Sequence, residues 1–251
     1  MGPLSLSGVN GVTPRDDVRT ALVVCAHPDD VDFGAAGTVA VWTAAGIAVT
    51  YCLCTSGEAS GDGSRPAEEV AAVRRAEQRA AAAEVGVTEV IFLEHADGTV
   101  EPTIALRRDL TRVIRQVRPD RVLTWSPEIN WAMVATAHPD HRAVGAATFA
   151  AVYPDARNPN AHPALLRDEG LAPWTVPELW LADAPERLRD HAVDITEHFT
   201  RRMAALRAHV SQVGDNPGLE AGMRAHFTAA AARHGLPPGR LAEEFQVVDT
   251  S

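Results

Sequence analysis

The chain has 251 residues, 46% of them hydrophobic, and a formal net charge of −10. That length suits one large α/β domain with a sizeable buried core. The acidic balance argues against nucleic acid or an anionic membrane as partner, because both demand concentrated positive charge. All 23 basic residues are arginine, which excludes a lysine Schiff base and a P-loop lysine.

Residues 1–19 are punctuated by Gly, Ser and Pro and predict a loose segment, without the basic start and long apolar stretch of a secretion signal. No run approaches the roughly 18 apolar residues of a membrane span, so a soluble, cytoplasmic protein is expected. Residues 21–26 form a continuous apolar run, the pattern of a central parallel strand. Residues 34–45 predict the first helix, with Gly34 and Gly37 permitting close packing on a sheet. The second strand is expected at 48–54, and the Gly/Ser-rich loop 55–65 carries Glu58. Residues 67–85 predict an amphipathic helix ended by Gly86. The third strand follows at 89–93, then a polar loop, 94–101, holding Asp97-Gly98. A helix is expected over 104–117, stopped by Pro119, and a fourth strand over 121–124. A long loop, 126–137, leads to a helix over 141–152.

Residues 153–177 are rich in Pro, Asn, His and Asp and predict a surface loop or lid. Late strands are expected at 178–182 and 191–195, then a helix over 196–211 with Thr196 as N-cap. Two short helices are expected within 219–245, broken at 235–239. Cys25, Cys52 and Cys54 lie inside the strand runs and read as buried thiols in a reducing compartment. Cys52 and Cys54 as half of a metal site is the weaker account, since zinc pairs sit in loops at wider spacing. The alternation predicts an α/β fold: one domain over 1–251, with a Rossmann-like, mostly parallel sheet and helices on both faces. Ligands of such folds bind beyond the carboxyl ends of the strands.

One tripeptide occurs twice at that rim. His27-Pro28-Asp29-Asp30 follows the first strand, and His138-Pro139-Asp140-His141 precedes a helix. Two histidines and one carboxylate make a common ligand set for a catalytic zinc, with a fourth position left for water. His27 and Asp30, three apart across a turn, can converge on one point, and Asp29 is the adjacent candidate for a general base. His138 and His141, three apart at a helix start, can face one side. One completes the metal set, and the other can donate to a developing oxyanion or protonate a leaving nitrogen. Asp140 is placed to orient an imidazole through its ring nitrogen. The plain account of either copy alone is a helix cap or a turn. Both copies in one α/β chain, each at the rim, favour the metal. A third His-Pro, His162-Pro163, lacks a following acid and reads as a loop histidine.

These residues resemble the LmbE-like or PIG-L family of zinc-dependent N-deacetylases. The likeness rests on residues 26–34 and 138–145, on Thr55-Ser56-Gly57-Glu58, on Arg74-Arg75-Ala76-Glu77, and on Asp97-Gly98. It extends through Val193-Asp194-Ile195-Thr196 to His209 and Ser211-Gln212. The resemblance implies an LmbE-like fold and hydrolysis of an N-acyl group from an amino sugar. It implies that His27, Asp30 and His141 hold zinc, that Asp29 is the base, and that His138 stabilises the oxyanion. It implies Arg74 and Asp97 as substrate contacts, while Glu58 is either a contact or a loop cap. Some members carry Tyr-Gly before the second motif, where this chain has Thr136-Ala137.

The expectation is therefore a zinc-dependent hydrolase acting on the linear amide of an N-acyl amino sugar or a conjugate of one. An amidase for a larger thiol-sugar or glycosylated natural product is the alternative. A non-catalytic binding module is a distant one. A nucleotide-binding oxidoreductase would need a Gly-rich turn where residues 27–30 stand. Two histidines and a carboxylate also suit Fe2+ and Co2+, and a homo-oligomer is left open.

Overall fold

The computed structural model describes residues 14–251, so the expectation for residues 1–19 lies mostly outside the described residues. Strand β1 (Thr20–Cys25) pairs in parallel with β2 (Ala48–Leu53) on one side and β4 (Arg121–Trp125) on the other. Beyond these, β2 pairs in parallel with β3 (Glu89–Phe92), and β4 with β5 (Glu178–Ala182). Two further strands, β6 (His191–Asp194) and β7 (Ala242–Asp249), complete the sheet in the order β3-β2-β1-β4-β5-β7-β6.

The unbroken apolar run of β1 has a direct cause. Ala21, Val23 and Cys25 enter one core, and Leu22 and Val24 enter another on the opposite face. The first core is closed by α2 (Ala36–Ala44), α3 (Ala67–Glu84) and α7 (Phe199–Ala208), which supply Val39, Ala81 and Ala205. The second is closed by α4 (Ile104–Val117) and α5 (Pro139–Ala150), which supply Leu110, Ile114 and Val144. All three cysteines are buried free thiols in these strands and the turn after β2.

From β1 the chain builds outward through β2 to β3, and then returns to place β4 on the other side of β1. The strand order therefore reverses between β1 and β4, and the connections beyond their carboxyl ends diverge around a crevice. Residues 26–30 and 126–138 are those connections.

Several expectations need correction. The first helical segment starts at Asp30, not residue 34: α1 (Asp30–Gly34) is separated from α2 by Ala35 at φ −149°. Helix α5 starts at Pro139 with His138 as its N-cap, two residues before the expected start. Thr196 does not cap α7; its hydroxyl donates to Asp194 Oδ1 at 2.6 Å, and α7 starts only at Phe199. Past α7 comes a short turn, α8 (Val210–Val213), and then a single helix, α9 (Leu219–Arg233). The second helix expected before residue 245 is instead β7, antiparallel to both β5 and β6. The segment 153–177, expected as a surface loop or lid, is not wholly irregular. It contains a short helix, α6 (Pro163–Arg167), and is tied to α4 by Arg115, which donates to the carbonyls of Asp155, Ala156 and Asn158. His162 faces Asp155 within that segment. Among the described residues, no helix is long and apolar enough to cross a membrane.

Candidate metal centre and its cavity

The first His-Pro-Asp copy is shaped by the end of β1. Pro28 has no N–H for the ladder, so pairing stops there, and Asp29 takes a left-handed φ of 88°. Asp30 then opens α1. Its Oδ2 accepts from the backbone N–H groups of Ala26 (3.0 Å) and His27 (2.8 Å). That bond pair fixes the carboxylate and presents Oδ1 to His141, 2.9 Å from Nε2. His27 Nδ1 lies 3.2 Å from His141 Nε2 and 3.6 Å from Asp30 Oδ1. Residues more than a hundred positions apart thus bring three donor atoms to one point.

The remaining ring nitrogens decide what those atoms present. His27 Nε2 lies 2.9 Å from Asp97 Oδ1 and 3.2 Å from Asp140 Oδ2, so its N–H points at carboxylates. His141 Nδ1 lies 3.1 Å from the carbonyl oxygen of Thr136, which can only accept. Both rings therefore turn lone pairs toward each other and toward Asp30, an arrangement that repels itself unless positive charge lies between. Two donors sharing a tetrahedral zinc at about 2.0–2.1 Å stand roughly 3.3 Å apart, close to the three separations found. The residues fit such an ion. Carboxylate-backed imidazoles are also the usual surroundings of a metal ligand.

The proton equilibria of these side chains point the same way. Burial alone would lower His27, but the Asp30 and Asp97 carboxylates outweigh it and push it up to about 11. Burial alone would raise Asp30, but the His141 and His27 imidazoles hold it well below the usual carboxylate range. Asp30 likewise raises His141 against its burial. This pocket draws positive charge, and a divalent cation would displace a proton on entering.

Asp29 is tuned the other way. Its burial and the neighbouring Asp30 charge push its carboxyl up to about 7, against the pull of Arg74 and His209. Arg74 Nη2 donates to Asp29 Oδ2 at 3.0 Å and to the Pro28 carbonyl, while Nη1 donates to the Gly57 carbonyl at 2.9 Å. Gly57 is needed there: with φ 69°, any Cβ would fall 2.0 Å from Arg74 Nη1. A second support was not foreseen. Asp29 N–H donates to Gln78 Oε1 (2.9 Å), Gln78 Nε2 donates to Asp32 Oδ2 (2.9 Å), and His209 Nε2 meets the same oxygen (2.8 Å). Gln78, Asp32 and His209 are fully buried. Arg74 and Gln78 are four apart on α3, so one helix face supplies both supports. That spacing was legible in the sequence; the partner Asp32 was not.

The second copy behaves as a helix start. Pro139 occupies the first turn, and His138 Nδ1 accepts from Asp140 N–H at 3.2 Å as the N-cap. Nε2 of His138 must then carry the proton, making it a donor on an exposed ring. His27, His138 and His141 all offer ring nitrogens within 4.8 Å of one another, but the committed Nδ1 and protonated Nε2 leave His138 no lone pair for a metal. Asp140 is buried, accepting from Gly98 N–H (2.8 Å) and Val100 N–H (3.3 Å) as well as facing His27. Asp97 has the same duty: Oδ1 faces His27, and Oδ2 accepts from Ala59 N–H at 2.9 Å. Glu58 takes the loop-capping alternative, accepting from Ser56 and Asp97 N–H, and does not line the cavity.

The donor atoms open into a cavity of about 780 Å³. Its walls include Asp29, Arg74 and His138, together with Phe33 from the first motif and Trp125, Met133, Asp183, Met223 and His226, which lie outside the motifs. No residue of 153–177 lines it; the walls come instead from the 133–136 turn and from α9.

A doubly wound sheet with a His/Asp donor set at its switch point defines an LmbE-like α/β protein with a candidate metal centre. Residues 22–152 match the family model described as "PIG-L: GlcNAc-PI de-N-acetylase". The chain belongs to this family. It is 32% identical over 207 residues to a diacetylchitobiose deacetylase of Thermococcus kodakarensis, covering 79% of this chain and 72% of that protein. A 1D-myo-inositol 2-acetamido-2-deoxy-alpha-D-glucopyranoside deacetylase of Mycolicibacterium vanbaalenii is 30% identical over 240 residues, covering 78% and 81%. Among solved structures, the N,N'-diacetylchitobiose deacetylase of Pyrococcus horikoshii, complexed with its inhibitor MPG, superposes with a TM-score of 0.84. It is 28% identical and covers 93% of this chain and 85% of that one.

Proposed function

We propose that this chain is a zinc-dependent amidohydrolase that removes the N-acetyl group of an amino sugar joined to a second group. The observation that carries this is the triad of His27 Nδ1, Asp30 Oδ1 and His141 Nε2, mutually 2.9–3.6 Å apart with both outer ring nitrogens already engaged. The relatives' names, all deacetylases of glucosaminyl compounds, support the substrate class. A bound zinc would polarise the amide carbonyl and acidify the attacking water.

The chain's own residues do the rest. Asp29, on the cavity wall beside the triad, accepts the proton of the attacking water as the oxygen bonds to the acyl carbon. Arg74 holds the carboxylate in place through Oδ2. His138 Nε2–H donates to the oxygen that gains charge at the carbonyl. Asp29 then returns its proton to the nitrogen as the C–N bond breaks, releasing a free amine and acetate. The cavity dwarfs an acetyl group, which suits a sugar conjugate.

The test is a primary-amine release assay on N-acetylglucosamine and N,N'-diacetylchitobiose, run on chelator-stripped protein before and after adding zinc. Activity that is absent after stripping and restored near one equivalent of zinc supports the reading. Amine release unchanged by complete removal of metal would overturn it.

A further inference from the structure

Asp183 is a titratable group in the cavity that the mechanism leaves unused. It follows β5 directly, at the same rim as the metal triad, and lines the same cavity. Its backbone is left-handed, with φ 53°. Five non-glycine residues among those described have positive φ, and two of them, Asp29 and Asp183, line this cavity. Such a conformation is unfavourable for a residue with a side chain and persists where the surroundings enforce it.

The carboxylate is aimed by an aromatic side chain. Trp125, at the end of β4, donates its indole N–H to Asp183 Oδ2 at 3.0 Å. The same indole lies 6.2 Å, centroid to centroid, from the ring of His141. Gly34 lets it sit there, since a Cβ at residue 34 would fall 3.0 Å from Trp125 Cζ2. One indole therefore spans from a triad residue to Asp183. Only Oδ2 is engaged among the described residues, which leaves Oδ1 for a ligand. Beside Asp183 a small recess of about 40 Å³ branches off, sharing Phe33, Gly34 and His226 with the main cavity and backed by Arg189 and Glu244. That space admits a hydroxyl or one water and no ring.

From this geometry we infer that Asp183 is the sugar-reading residue of the cavity, accepting a hydrogen bond through Oδ1 from a ring or hydroxymethyl hydroxyl of the amino sugar while Trp125 fixes its other oxygen. The inference rests on the proposed function and adds to it the subsite that selects a sugar over a simple amide. Burial raises the Asp183 carboxyl and Arg189 opposes this; a sugar hydroxyl both donates and accepts, so it can partner Oδ1. A site built to bond a hydroxyl rejects the analogue lacking it far more strongly than an apolar pocket rejects an extra group.

The test uses the zinc-loaded full chain with N-acetylglucosamine and its 3-, 4- and 6-deoxy analogues. The wild type is expected to lose at least tenfold in kcat/KM on one deoxy analogue. Asp183→Asn is expected to lose at least tenfold on the parent sugar and to retain under threefold discrimination against that analogue. Trp125→Phe should shift both quantities the same way, by less. A role confined to structure would lower Tm and leave the discrimination intact. Binding of glucosamine and its deoxy forms, measured by calorimetry without turnover, keeps the two readings apart. Asp183-dependent binding with no amine release would sink the hydrolase reading and keep this one. Equal treatment of all deoxy sugars by wild type, or undiminished discrimination in Asp183→Asn, would overturn the Asp183 assignment alone.

Discussion

His27-Pro28-Asp29 and His138-Pro139-Asp140 are one tripeptide in two backbones. In the first, proline ends a buried strand, and the aspartate that follows is left-handed with its carboxylate on the cavity wall. In the second, proline opens a helix, and the aspartate sits inside the first turn with its carboxylate buried against loop amides. The histidines exchange roles too: His27 turns a lone pair to the triad, while His138 spends its Nδ1 on a helix cap and keeps a donor outward. Residue type sets which chemistry is available, and the φ angle and the adjoining element decide which side chain performs it.

The same substitution in the two copies should therefore give different failures. Asp29→Asn is expected to lower kcat by about 10²–10⁴-fold with zinc content unchanged, read from initial rates and elemental analysis of one sample. Retention of the full rate would erase the contrast between the copies. Asp140→Asn removes a negative charge from behind His27 and should weaken zinc binding by about 10–100-fold. Competition with a chromophoric chelator measures this, and most of the rate should return at saturating zinc. An Asp140→Asn enzyme that binds zinc normally and fails in turnover would move Asp140 into the reaction. The smallest effect is expected from Gln78→Leu, which strips the acceptor from Asp29 N–H and a donor from Asp32. The rate should fall by about tenfold through misplaced Asp29, and stability by about 1–3 kcal/mol, with zinc affinity intact. A change in zinc affinity as large as that of Asp140→Asn would mean that the two supports are not separable.

The parallel half of the sheet was legible because each strand is covered on both faces. Residues 21–26 read as a strand from their apolar run alone, and Ile104–Val117 was read to the residue, stopped before Pro119. The donor set was legible because its spacing is local within each copy; only the meeting of the copies needed the fold. β7 was not legible. It opens Ala242-Glu243-Glu244, two adjacent glutamates that favour a helix, because Glu243 is buried against Arg202 and the N–H groups of Gly37 and Thr38. That buried charge breaks the alternation that would announce a strand. Asp97 was expected at the substrate; it does line the cavity, and its contact with His27 Nε2 through Oδ1, which depends on the loop after β3 reaching the end of β1, was not indicated by the sequence. Asp183, in Leu-Ala-Asp-Ala-Pro, reads as an ordinary turn residue; its place beside Trp125 depends on strands 58 positions apart in sequence.

The pairing of β6 bears on how the protein is made. β6 has β7 as its neighbour in the sheet, and β7 lies between it and β5. During synthesis, residues 191–194 therefore leave the ribosome well before their partner exists. Until residues 242–249 emerge, the N–H and C=O groups of β6 and the open side of β5 remain available to any passing strand. In this interval a nascent copy is exposed to pairing with another chain along β5 and β6.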